Sequence, residues 1–91
     1  MAKPTEQSGV DASAPTGDSL TEYDMLHLPD YLRLLHAAND GEPWEEAAKV
    51  VLGLDPNKDP EQAKSTYDSH LSRARWMTEH GYRQMLRGKV P

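Results

Sequence analysis

The sequence predicts a small all-α domain, an extended-turn variant of the helix-turn-helix, behind a disordered N-terminal tail over residues 1–20. Three observations lead there. Apolar residues recur at helical spacing in three successive segments, and each segment carries its own start and stop residues. Strand signals are nearly absent: the chain has no isoleucine, and Val50-Val51 lie inside a helical pattern. Ninety-one residues with a 36% hydrophobic share suffice for one compact domain with a small core.

The tail comes first in the chain. Residues 1–19 are small, polar, Pro or Gly, with almost no apolar side chains to offset the entropy of ordering. Their removal is expected to leave folding intact. They lack the apolar run of a signal peptide, and no later stretch is long enough to cross a membrane. No cysteine is present, which removes disulfides, thiolate metal sites and thiol nucleophiles together. A cytoplasmic protein is expected.

The helical domain is expected over residues 21–91. Thr21 and Asp24 make a capping-box pattern for a short first turn, which Pro29 separates from the main helix. Leu28, Tyr31, Leu32 and Leu35 form one apolar stripe, and Asn39-Asp40-Gly41 ends it. The next helix opens at Pro43 and should bury Trp44, Ala47, Ala48 and Val51; Glu45 and Glu46 suit its positive end, and Gly53 stops it. The longest helix has the clearest start: Asp59 caps, Pro60 takes the first position, and Gln62 stands where a capping box wants Glu or Gln. Its stripe is Ala63, Tyr67, Leu71, Ala74 and Met77 or Thr78, with His70 beside it and Gly81 as its stop. Residues 82–87 can add a short fourth helix. The turn from Gly53 to Asp59 is longer than the roughly 3–4 residues usual between the helices of this motif, hence the extended-turn variant.

Charge is unevenly distributed. Residues 1–61 carry 13 acidic and 4 basic side chains, and residues 62–91 carry 2 acidic and 6 basic ones, within a net charge of -5. A DNA-binding domain of this size is ordinarily basic, because phosphate contacts dominate its affinity. Asp55, Asp59 and Glu61 would stand at the front of any recognition helix and repel phosphates.

No catalytic or cofactor motif emerges. His27, His36, His70 and His80 have no metal-ligand spacing, Gly41, Gly53, Gly81 and Gly88 stand alone at helix ends, and Ser65, Ser69 and Ser72 lack a positioned base. An enzyme is not expected, nor a cofactor or metal. What remains is surface. Arg73, Trp76 and His80 share one face, and Arg and Trp are enriched at binding hot spots. Arg73, Trp76, Met77, His80 and Tyr82 are the candidate partner-binding residues, with Leu34, which lies off the first stripe, as an outlier.

The runs Asp30-Tyr31-Leu32-Arg33-Leu34-Leu35, Trp44-Glu45-Glu46-Ala47-Ala48, Leu54-Asp55-Pro56 and above all residues 69–82 (SHLSRARWMTEHGY) resemble a proteobacterial domain of unknown function carried by regulators of integrative and conjugative elements. The resemblance covers roughly residues 23–88. It implies the same extended-turn fold. It also implies a division of labour. In activators of the FseA type the domain binds DNA and packs on an N-terminal companion domain. Stand-alone acidic members, antiactivators of the QseM type, keep the packing side and sequester the companion domain instead. Such members are also linked to blocking LuxR-type quorum-sensing activators, so that excision and transfer of the element are held off. The acidic body fits the antiactivators better than the activators, and the resemblance then implies binding to a transcriptional activator; a monomer that binds neither DNA nor membrane is expected. The alternative is a DNA-binding regulator using Arg73, Arg75, Arg83 and Arg87.

Overall fold

The computed structural model describes residues 10–81 and Arg83. Four α-helices follow in order: α1 (Glu22–Leu26), α2 (Leu28–Asn39), α3 (Trp44–Leu52) and α4 (Pro60–Trp76), the last running on into a π-helical turn at Met77–Gly81. No strand occurs among the described residues. The molecule is a small helical domain, as the periodicity predicts.

Local chemistry explains each boundary. Thr21 caps α1 with a complete capping box: its hydroxyl accepts from the Asp24 N–H, and the Asp24 carboxylate accepts from the Thr21 N–H. His27 separates α1 from α2, and Pro29 sits in the first turn of α2, where its missing N–H removes no helical bond. Gly41, at φ +76°, closes α2: the Glu42 N–H returns to the Ala37 carbonyl and the Gly41 N–H to that of Ala38. Gly53, at φ +70°, ends α3 in the same left-handed conformation. The seven-residue connection from Gly53 to Asp59 then turns on Asp55, whose carboxylate accepts from the Asn57 N–H. Asp59 caps α4 by accepting from the Gln62 N–H. The reciprocal half of that box is not made, because the Gln62 amide donates to the Thr66 hydroxyl instead. Beyond Trp76 the helix widens into the π turn, whose last residue is Gly81.

Two apolar clusters hold the helices together. In one, Leu34, Ala37, Ala47, Ala48, Leu52 and Tyr67 join α2, α3 and α4, with Trp44 and Leu71 half-buried at its edge. In the other, Leu20, Tyr31, Ala74 and Met77 join α2 to the end of α4. The stripe expected on α2 is therefore rotated. Leu34 is fully buried and Leu32 is 57% exposed, because α3 packs on the side of α2 that carries Leu34 and Ala37. Trp44, expected inside, covers the core edge, with its ring against Tyr67 and Lys64 above it.

Of the tail expected over residues 1–20, residues 1–9 lie outside the described residues. Residues 10–20 have neither helix nor strand and lie along α4. Ala14 is buried with its N–H on the Ser69 hydroxyl at 2.6 Å, and Leu20 packs in the second cluster. Composition gives no sign of these contacts, because they are mostly backbone groups meeting side chains of α4. The expectation that residues 1–19 can be removed without effect is revised accordingly. The fourth helix expected over 82–87 lies outside the described residues, apart from Arg83, which is helical.

Candidate functional site

The interior carries two polar centres, and both are structural. Asp24 on α1 and Arg73 on α4 form a buried ion pair at 2.7 Å, with a second bond from Arg73 Nε to the other carboxylate oxygen at 3.0 Å. The Tyr31 hydroxyl donates to the same carboxylate at 2.8 Å. The rest of the guanidinium donates to the carbonyls of Gly17 and Ser19. Burial by itself would raise the Asp24 pKa; the bonds from Arg73, Tyr31 and Thr21 outweigh it and hold the carboxyl below its usual range. The Tyr31 phenol is pushed upward by burial and by the carboxylate it donates to.

His70 is the second centre. Its Nδ1 lies 2.8 Å from the Thr66 carbonyl, which can only accept, so Nδ1 carries the proton and Nε2 accepts from the Tyr23 hydroxyl at 2.6 Å. The Tyr23 oxygen in turn accepts from the Asp11 N–H. Burial lowers the His70 pKa, more than the Thr66 carbonyl restores, and burial raises that of Tyr23. No buried side-chain polar atom among the described residues lacks a hydrogen-bond partner.

The surface feature that stands out is apolar. Between α2 and the end of α4 runs a groove of about 210 Å³, lined by Leu28, Tyr31, Leu32 and Leu35 on one side and Ala74, Met77 and Thr78 on the other. Both walls follow from helical spacing. Residues 28, 31, 32 and 35 share one face of α2, and residues 74, 77 and 78 share one face of the helix opposite. The floor is rigid because Tyr31, Ala74 and Met77 are buried and backed by Leu20. A larger, more open cleft lies between residues 13–16 and α4, but Arg73, the one cation on its lining, is already committed inward.

The sequence-predicted site residues divide. Met77 is buried as part of the groove floor. Trp76 is half-buried, with the Arg73 guanidinium 3.8 Å from its ring centre and the exposed His80 ring stacked at 6.0 Å. Arg73, Trp76 and His80 do share a face. Two residues are corrected. Arg73 is 3% exposed and serves the ion pair with Asp24, so it is unavailable to a partner protein or to DNA. Leu34 is in the core. Tyr82 lies outside the described residues, as does Arg87 of the DNA-binding alternative. The groove walls Leu28, Leu32 and Leu35 belong to the apolar stripe that periodicity predicts; what separates them from the core is a second apolar pair on α2, Leu34 and Ala37, which packs in the cluster with α3.

Among the described residues no three His, Asp or Glu side chains gather as a metal site, and no helix is long and apolar enough to cross a membrane. No protein-family model matches the sequence, and no curated protein matches it either.

Proposed function

We propose that the chain is a capture module: a stand-alone acidic antiactivator of the QseM type that occupies the N-terminal domain of an FseA-type activator, and in some settings a LuxR-type regulator, and so blocks activation of excision and transfer of an integrative and conjugative element. The observation that carries the reading is the rigid apolar groove with a leucine, Leu32, 57% exposed at its lip. Uncovered leucine beside a preformed apolar slot is what a protein-docking site supplies, and its burial contributes to affinity. Charge supports the same reading over DNA binding. Asp55, Asp59 and Glu61 are all exposed at the front of α4 and in the turn before it, where a groove-entering helix would meet phosphates. Arg73, the centre of the basic segment, is turned inward.

Calorimetric titration of the full chain against the isolated N-terminal domain of an FseA-type activator tests the proposal. Saturable binding is expected, weakened at least about tenfold by Leu32→Glu, because a carboxylate in an apolar contact loses its hydration without a partner. Undiminished binding by the Leu32→Glu chain, or specific DNA binding by the unmodified chain at physiological salt, would sink it.

A further inference from the structure

We infer that the groove between α2 and α4 seats an amphipathic α-helix of the partner whose apolar side chains are flanked by carboxylates. The inference rests on the capture reading and specifies what is captured.

The walls select the conformation of the occupant. Their two side-chain donors are used elsewhere: the Tyr31 hydroxyl donates to Asp24, and the Thr78 hydroxyl donates to the Arg75 carbonyl at 2.8 Å, which leaves no side-chain donor on the walls for a backbone carbonyl. An extended segment laid there would lose water from its backbone N–H and C=O groups and leave its carbonyls without a side-chain donor. A helix satisfies its own backbone and presents side chains at i, i+4 and i+7. A space of about 210 Å³ accommodates one or two large apolar side chains of such a helix.

The flanks select its charge. On α2, Arg33 follows Leu32 and its side chain is 67% exposed; it pairs with Asp30 at 3.6 Å, whose other oxygen meets His27 at 3.0 Å. On the opposite flank the order along the helix is Arg75, Glu79, Arg83, all exposed. Three arginines thus stand against two carboxylates, Asp30 and Glu79, which leaves the flanks net cationic in a molecule whose net charge is -5. An occupant with acidic flanks is favoured there by complementarity. The same logic disfavours two rivals. A second copy docked groove to groove would bring its own arginines to this cationic rim, and the chain's own residues 84–91 would bring Arg87 and Lys89.

The experiment uses the full chain and two helical peptides of about 16 residues, enough for four turns. Both carry the same leucines at i, i+4 and i+7; one has glutamates on the flanking positions and the other lysines. Backbone amide shifts are followed by NMR. The glutamate peptide is expected to bind at least about tenfold tighter than the lysine peptide, which is about 1.4 kcal/mol. The shifted amides should fall in Leu28–Leu35 and Ala74–Thr78, and the double variant Arg33→Glu with Arg75→Glu should reverse the order of the two peptides. Equal binding, a lysine preference or shifts centred elsewhere overturns the inference. Concentration-dependent shifts of the groove without peptide assign it to a second copy, and binding gained only on deleting residues 84–91 assigns it to the chain's own end; each overturns it too. Failure of both peptides alongside Leu32-dependent activator capture removes the acidic helix and leaves capture standing. Glutamate-peptide binding without activator capture does the reverse.

Discussion

At the scale of single residues, the most consequential choice is burying Asp24 with Arg73. Two charges leave water, so removing one partner strands the other. Arg73→Leu leaves the Asp24 carboxylate without its strongest donor, and Asp24→Leu leaves a guanidinium with only the two tail carbonyls and the Trp76 face. Each single replacement is expected to cost about 3–5 kcal/mol, and the double replacement less than either by itself; urea unfolding of the three variants measures it, and additive costs would refute the coupling. His70 supplies a separate, pH-dependent term. Because burial lowers its folded pKa, the unfolded chain takes up a proton at higher pH than the folded one. Its contribution is therefore complete above about pH 6.5 and is lost as the pH falls from there through the folded value. Asp24, also lowered, has the same sign, but its window opens only below about pH 3.9. His70→Gln should flatten the dependence of stability on pH between about 7 and 5, read from urea midpoints across that range. A slope unchanged by the replacement would mean that His70 is not the group responsible.

At the scale of elements, the helix ends were legible because capping chemistry is local. Thr21, Pro29, Gly41, Gly53 and Asp59 each act on backbone groups within a few residues, so the sequence alone locates them. What it could not show is which side of α2 faces α3. Leu28, Leu32 and Leu35 on one side compete with Leu34 and Ala37 on the other, and periodicity does not decide between two apolar faces of one helix; the packing of Ala47 and Ala48 against Leu34 does. The ion pair and the Tyr23–His70 contact were illegible for a different reason, since they join residues 49 and 47 positions apart. Two predictions belong here. A Cβ added at Gly41 meets nothing within 4 Å, so Gly41→Ala is penalised only by the left-handed backbone. It should cost about 1 kcal/mol, and Gly41→Asn less, because Asn tolerates that conformation. Deletion of residues 1–19 removes Ala14 from its buried site and two acceptors from Arg73. A loss near 1–2 kcal/mol corresponds to a fall in Tm of roughly 5–15 °C for a domain of this size. A melting curve that does not move would show that the segment contributes nothing to the fold.

At the scale of the whole molecule, the rotated face of α2 separates what folds the domain from what it offers a partner. Leu34 lies between α2, α3 and α4 with no exposure, and Leu32 two residues earlier is more than half in solvent on the groove lip. The same change of side chain should therefore have opposite consequences at the two positions. Leu34→Ala leaves a cavity in the first cluster and is expected to cost about 2–5 kcal/mol, a large part of the stability available to so small a domain. Leu32→Ala removes mainly hydrated surface and should move stability by no more than about 0.5 kcal/mol. In capture of an activator domain the order inverts. Leu32→Ala loses apolar area that only the complex buries, and affinity should fall about tenfold or more, whereas Leu34→Ala, assayed at a temperature where its folded fraction is known, should bind normally once corrected for that fraction. Chemical denaturation and calorimetric titration of the two variants settle the assignment together. If Leu32→Ala unfolds the domain as readily as Leu34→Ala does, the groove is part of the core and the docking face must lie elsewhere on the molecule.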